Sequence, residues 1–158
     1  MSWLGIKQIT QSYNTDGEIP FKGVPMATNL RKMTVLIVDD NEMTRSLLRS
    51  IIQGDLFDVI GEASDGTSGL ERAYKLKPDI VCLDVSMPGR DGLEILQEIK
   101  KVLKQTMVLM VTASHDVSTV QKAIQNGASG FIIKPFNIGT VQDTLESVAL
   151  KLRELNPK

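Results

Sequence analysis

Residues 34–40 of the chain read TVLIVDD, a run of five strand-forming residues that ends in two aspartates. A short apolar run of this kind is typical of a strand buried in a parallel sheet. In the next segment, 41–53, the apolar residues recur at helical spacing. Those that share one predicted helix face are Met43, Leu47, Leu48, Ile51 and Ile52. A strand followed by an amphipathic helix is the repeating unit of an α/β fold.

The same alternation continues along the rest of the chain. Further strands are predicted at 57–62, 79–84, 107–112 and 130–133. Each is followed by a helical pattern that opens on a residue type suited to capping a helix N-terminus. These residues are Asp65, Asp91, Asp116 and Asn137. Five strands alternating with five helices predict an α/β fold, namely a doubly wound, five-stranded parallel sheet with helices on both faces.

The composition argues against several classes of protein. The chain has 158 residues with 18 basic and 19 acidic side chains, so a general nucleic-acid or membrane-surface binder is not expected. The single cysteine, Cys82, lies in an apolar run and is expected to be a buried hydrophobe. No apolar run approaches the ~18 residues of a membrane helix, and the N-terminus lacks the apolar core of a signal peptide. We therefore expect a cytoplasmic protein.

Residues 1–32 differ from the remainder because they contain turn signals and no sustained period. We interpret them as an N-terminal arm of unknown role, and we expect one domain over 33–155. Two simpler explanations are a flexible tail and a start codon assigned too early, with Met26 and Met33 as later candidates.

The predicted strands end in polar residues. These are Asp39-Asp40, Asp84, Thr112-Ala113 and Lys134-Pro135. In a parallel sheet the carboxyl ends of the strands meet at one edge, where binding sites of such folds lie. Carboxylates brought together repel each other, and a divalent cation relieves that repulsion. Mg2+ prefers such hard oxygen ligands, whereas the chain has no thiol or imidazole cluster for zinc.

A lysine and a hydroxyl beside such a metal site point to phosphoryl transfer. A phosphoryl group in transfer carries negative charge on its oxygens, which Mg2+, Lys134 and the hydroxyl of Thr112 can share. The nucleophile can be an aspartate, which is already ionised at neutral pH and needs no general base. The alternative is that these acidic residues only cap helices, as residues 39–41 could do before the first helix. The lone His115 is expected to be a solvated loop residue.

Four segments together resemble the receiver domains of two-component response regulators, the CheY-like family. They are VLIVDDN (35–41), DVSMPGRDG (84–92), VTA (111–113) and FIIKPF (131–136), and the resemblance covers 33–155. It implies the flavodoxin-like strand order 2-1-3-4-5. It also implies a signalling protein that catalyses its own phosphorylation and dephosphorylation rather than an enzyme acting on a separate substrate.

The resemblance implies a role for each strand-end residue. Asp84 would accept a phosphoryl group from a histidine kinase or a phosphotransfer protein. The Mg2+ ligands would be Asp39 (through water), Asp40, Asp84 and the backbone carbonyl of Ser86. The residues that bind phosphate or switch with it would be Thr112, Ala113, Lys134 and the aromatic Phe131. A cis peptide bond is expected before Pro135.

Some of these positions have simpler explanations or finer roles. Phe131 could equally be an ordinary core aromatic. Ser86 and Ser114 occupy positions that tune the loss of phosphate in the family. Arg90 is expected to be a solvated charge.

The segment after Pro135 is used by the last helix, so we expect no output domain there. The output would come from the surface of the last two helices and strand five, which would bind an unknown partner protein or serve a phosphorelay. No direct DNA binding, no membrane association, and a monomer or weak dimer are expected. Two other functions stay open: an interaction module independent of phosphorylation, and a flavodoxin-type cofactor binder. The second would need a phosphate-cradling loop after strand one, where the chain has Asp39, Asp40 and Glu42.

Overall fold

The computed structural model describes residues 31–113 and 116–156. Within them five strands form one parallel sheet, in the order β2-β1-β3-β4-β5. The strands are β1 (Met33–Val38), β2 (Phe57–Ala63), β3 (Ile80–Asp84), β4 (Met107–Thr112) and β5 (Gly130–Ile133). The helices are α1 (Glu42–Ile52), α2 (Gly66–Leu76), α3 (Gly92–Val102), α4 (Val117–Gln125) and α5 (Ile138–Leu155). The predicted doubly wound fold and its strand order are confirmed.

Each helix begins where the sequence places a capping residue. The side-chain oxygens accept backbone N–H groups of the first turn over 2.8–3.2 Å. The caps are Asn41, Asp65, Asp91, Asp116 and Asn137. Because Asn41 caps α1, Asp39 and Asp40 are not the capping residues of that helix, and the capping explanation for these two is wrong.

The core consists of two apolar layers, one on each face of the sheet. On one face, residues of α1 and α5 such as Leu48 and Leu145 pack against the sheet. On the other face, residues of α2, α3 and α4 such as Leu70 and Ile99 do so. Every residue of β3 and β4 is buried, as expected for central strands covered on both faces.

Cys82 in β3 is buried as the sequence predicts, and burial raises the pKa of its thiol to about 12. In the part of the chain that the structure describes, no helix combines the length and apolar character needed to cross a membrane. Most of the expected N-terminal arm, together with Ser114 and His115, lies outside the described residues.

Candidate functional site

Three aspartates come together at the carboxyl edge of the sheet. Asp39 and Asp40 follow β1, and Asp84 ends the neighbouring strand β3. One carboxylate oxygen from each lies within 4.8 Å of the others. Asp39 and Asp84 are buried, at 1% and 3% exposed, whereas Asp40 is exposed to solvent. The cluster therefore opens to solvent on the side of Asp40.

Asp39 is held firmly in this cluster. Its backbone N–H donates to the carbonyl of Ala63 on β2 at 3.1 Å. Its carboxylate accepts the N–H of Asn41 at 2.9 Å and the ammonium group of Lys134 at 3.0 Å. Its carbonyl oxygen accepts Nη1 of Arg45 at 2.7 Å. Because both ends of the residue and its side chain are bonded, Asp39 is a fixed point of the site.

Asp84 is buried among like charges. Its Oδ1 accepts the N–H of Ser86 at 3.1 Å, and its Oδ2 lies 3.6 Å from Nζ of Lys134. Burial, with a further contribution from the charges of Asp39 and Asp40, raises the pKa of Asp84 from 3.8 to about 6. The bond from Ser86 and the charge of Lys134 act in the opposite direction but do not outweigh them. At neutral pH Asp84 is ionised, at a cost in free energy.

Lys134 follows β5 and reaches across to both buried carboxylates. Its backbone N–H donates to the carbonyl of Thr112 at 2.8 Å. Partial burial works to lower the pKa of Lys134, but the hydrogen bond to Asp39 and the charges of both aspartates outweigh it, so the pKa is raised. The lysine is therefore fully protonated at neutral pH. The peptide bond between Lys134 and Pro135 is cis, as expected.

The remaining switch candidates lie on β4 and β5. Thr112 ends β4 at the same edge and is buried, whereas Ala113 is exposed. Phe131 on β5 pairs with Met110 and is half-buried against the apolar layer of α2, α3 and α4. Its contacts are those of a core aromatic at the margin of that layer.

The loop after β3 is anchored by its side chains. Met87 is buried, and Gly89 takes a positive φ of 90° that favours glycine. Arg90 bonds to the carboxylates of Glu94, at 2.6 Å, and Glu98 on α3. Arg90, expected to be a solvated charge, is partly exposed and in addition ties the loop to the helix through these two ion pairs. The sequence held a signal for it in the spacing of Arg90 and Glu94, four residues apart before and within a helix.

Gly92 allows the chain to pass close behind Asp84. A Cβ atom at this position would lie 2.5 Å from the carbonyl oxygen of Asp84 and 2.8 Å from Cα of Val85. Only glycine fits such a close approach of two backbones. The start of α3 thus lies directly against the residue that ends β3.

The donor set suits a divalent cation. Three carboxylates and one lysine ammonium leave two uncompensated negative charges around a gap lined by hard oxygen atoms. Burial, with a smaller contribution from the charges of Asp39 and Asp40, raises the pKa of Asp84, and a bound cation would offset that cost of ionisation. The residues present therefore fit Mg2+, with Asp39, Asp40 and Asp84 as its available carboxylates.

These features define the class of protein: a flavodoxin-like domain with an acidic, lysine-containing site at the carboxyl edge of its sheet. The family model described as response regulator receiver domain matches residues 35–146. The chain belongs to this family and is a receiver domain of two-component signalling.

Known relatives agree with this assignment. The chemotaxis protein CheY of Listeria monocytogenes is 38% identical over 117 residues, which cover 74% of this chain and 98% of CheY. The response regulator domain of Thermotoga maritima CheB shares 32% identity at a TM-score of 0.69, covering 78% of this chain and 98% of that one. A CheY of Borrelia burgdorferi, solved with CheX, BeF3 and Mg2+, shares 33% identity at a TM-score of 0.71, covering 74% and 89%.

Proposed function

We propose that this domain is switched by Mg2+-dependent phosphorylation of Asp84, with the phosphoryl group taken from the phosphohistidine of a histidine kinase or a phosphotransfer protein. The observation that carries the proposal is the meeting of three carboxylates within 4.8 Å beside Lys134. Mg2+ would be held by Asp40, Asp84 and the backbone carbonyl of Ser86, with Asp39 acting through a water molecule. When bound, the ion supplies positive charge next to the carboxylate that accepts the phosphoryl group.

The chemistry needs little more than position and charge. A carboxylate oxygen of Asp84 attacks phosphorus, the P–N bond of the donor breaks, and the imidazole leaves with its electron pair and takes up a proton. With a pKa of about 6, Asp84 is already ionised at neutral pH, so no general base is required. Lys134, 3.6 Å from Asp84, is placed to neutralise charge on the transferred group.

Phosphorylation would be read out at the surface near the other strand ends. The hydroxyl of Thr112 and the N–H of Ala113 bind the phosphoryl oxygens, and Phe131 moves further into the protein as Thr112 does. Exposed apolar side chains on β5, α4 and α5 support a protein-binding surface in this region. They are Val117, Ile124, Ile133, Ile138, Leu150 and Leu155.

The proposal includes the receiver domain at 33–155 as a module that acts through its own surface in the cytoplasm. A relative that is matched over 98% of its length, a chemotaxis CheY, supports such a module. The partner is an output protein, or the next carrier if Asp84 passes its phosphoryl group onward in a relay. Residues 1–32 are assigned no function in the proposal.

The proposal is tested with acetyl phosphate as a small phosphoryl donor. The protein with Mg2+ is expected to gain the mass of one phosphate, and its amide spectrum is expected to change around Thr112 and Phe131. Beryllofluoride with Mg2+ should cause the same spectral change. The matched control is Asp84→Asn, which removes the nucleophile and keeps the shape of the side chain. A gain of phosphate mass that survives in Asp84→Asn, or no gain in the wild type from any donor, would reject the proposal.

A further inference from the structure

An arginine on α1 reaches back to the metal-binding candidates. Arg45 lies in the first part of α1, and its Nη1 donates to the backbone carbonyl of Asp39 at 2.7 Å. Its side chain is 17% exposed, so it is held within the structure rather than extended into solvent. Arg45 lies outside the four sequence motifs that define the site.

The bond from Arg45 bears on Asp40 more than on Asp39. The carbonyl of Asp39 and the N–H of Asp40 belong to one planar peptide group. A donor that fixes this carbonyl therefore fixes the direction in which the chain enters Asp40. In the described part of the chain, no hydrogen bond holds the exposed carboxylate of Asp40, whereas that of Asp39 is bonded to Asn41 and Lys134. The orientation of the Asp40 carboxylate thus depends on its backbone.

Arg45 is itself held by an acidic residue on β2. Its Nε lies 3.6 Å from Oε1 of Glu62, which is half-buried. Glu62 is fixed in turn by Arg49, whose Nε and Nη2 are each 2.9 Å from Oε2, and its carbonyl accepts Nη1 of Arg72. Arg49 thus shares the same carboxylate but is not bonded to Asp39. The two arginines therefore differ in the hydrogen bond to the carbonyl of Asp39, which only Arg45 of the two makes.

We propose that Arg45 is a positioning residue for the Mg2+ site, acting through the Asp39–Asp40 peptide to hold the Asp40 carboxylate in its ligating direction. The inference rests on the proposed function, because it assumes that the acidic cluster binds Mg2+. Groups that orient metal ligands commonly affect metal affinity by about 10- to 100-fold when they are removed. Arg45 acts on one ligand through its backbone, so the lower end of that range is expected.

The test compares Mg2+ binding by titration calorimetry in four full-length proteins. They are the wild type, Arg45→Met, Arg45→Lys and Arg49→Met. Methionine keeps most of the aliphatic stem and removes the donor groups. Arg45→Met is expected to bind Mg2+ about tenfold more weakly, while Arg49→Met binds it as the wild type does. Arg45→Lys retains a donor and is expected to lie closer to the wild type than Arg45→Met.

A second readout separates positioning from loss of structure. With acetyl phosphate as donor, Arg45→Met should need more Mg2+ for half-maximal phosphorylation but approach the wild-type rate at saturating Mg2+. The amide resonances of Asp40 and Asn41 should shift in Arg45→Met before any metal is added, and those of β5 should not. These results together would support the inference.

Failure of the inference differs from failure of the proposed function. Equal Mg2+ affinity in the wild type and Arg45→Met overturns the inference and leaves the proposed function standing. Equal weakening in Arg45→Met and Arg49→Met also overturns it, because the effect would then pass through Glu62. If Arg45→Met does not fold, Arg45→Lys is compared with Arg49→Met: weaker Mg2+ binding in Arg45→Lys alone supports the inference, and equal affinity in the two variants overturns it. A wild type that binds no Mg2+ overturns both.

Discussion

Replacing Asp84 by asparagine is expected to stabilise the metal-free protein at neutral pH. Burial raises the pKa of this carboxyl group from 3.8 to about 6, with the charges of Asp39 and Asp40 adding to the effect. Each tenfold change in acidity corresponds to about 1.36 kcal/mol, so ionising Asp84 costs about 3 kcal/mol more in the folded than in the unfolded protein. Asparagine has nearly the same shape and carries no charge. Since local rearrangement reduces the cost, we expect a gain of about 1–3 kcal/mol.

The sign of the pH dependence follows from the raised pKa. Below pH 3.8 Asp84 is protonated in both states and contributes no penalty. As the pH rises from 3.8 to about 6, the unfolded protein releases its proton first, so the wild type loses stability. Above that window the penalty is complete and constant. The advantage of Asp84→Asn over the wild type should therefore be large at pH 8 and nearly absent near pH 4.

The assay is urea unfolding of both proteins in a chelator at pH 8 and near pH 4, with the difference in the free energy of unfolding taken at each pH. The matched control is Asp116→Asn. Asp116 is an exposed helix cap, and the hydrogen bond from the side chain of Thr119 is the main cause that lowers the pKa of its carboxyl group. That change keeps a capping residue and removes no unfavourable charge, so no gain is expected. Added Mg2+ should stabilise the wild type more than Asp84→Asn, because the folded acidic cluster is the proposed site of the ion. An Asp84→Asn protein that is no more stable than the wild type at pH 8, or equally favoured at both pH values, would refute the reasoning.

Three further substitutions test other parts of the site. Gly92→Ala should destabilise the fold by about 2 kcal/mol or more in urea unfolding, because its Cβ would lie 2.5 Å from the carbonyl oxygen of Asp84; unchanged stability would show that the two segments separate freely. Lys134→Met should raise the pKa of Asp84 above about 6, since it removes a neighbouring cation, and a carboxyl-carbon NMR titration that finds the pKa unchanged or lower would contradict this. Arg90→Met should lower the midpoint of thermal unfolding only slightly, with an effect that shrinks at high salt, because its partners Glu94 and Glu98 are partly exposed; a salt-independent loss would mean that packing dominates.

Much of the fold could be predicted because its determinants are local. The five capping residues directly precede their helices, and the buried strands are short apolar runs such as 35–38. The site followed from the fold, because parallel strands bring their carboxyl ends to one edge. Asp39 and Asp84, separated in sequence, meet there for that reason.

The contacts of arginines and glycines in the site could not be predicted in the same way. Arg45 bonds to the carbonyl of Asp39, which precedes its helix, and pairs with Glu62 on β2, and neither partner is marked by a residue pattern. The requirement for Gly92 arises from the distance between two backbones, which depends on how α3 packs under β3. Such features depend on tertiary packing rather than on periodicity or spacing.

The three aspartates of the site differ in how firmly the surrounding structure holds them. Asp39 is bonded through its N–H, its carbonyl and its carboxylate, whereas Asp84 is buried with a pKa of about 6 and Asp40 faces solvent. The metal-free site therefore holds a carboxylate whose ionisation is costly, next to a solvent-exposed one that can reach a bound cation. In the proposed function, binding of a divalent cation would offset that cost while Asp84 keeps the ionised form that the reaction needs. If the charge that destabilises the metal-free fold is also the nucleophile, as proposed, loss of metal affinity and loss of phosphorylation should follow each other across variants of this cluster.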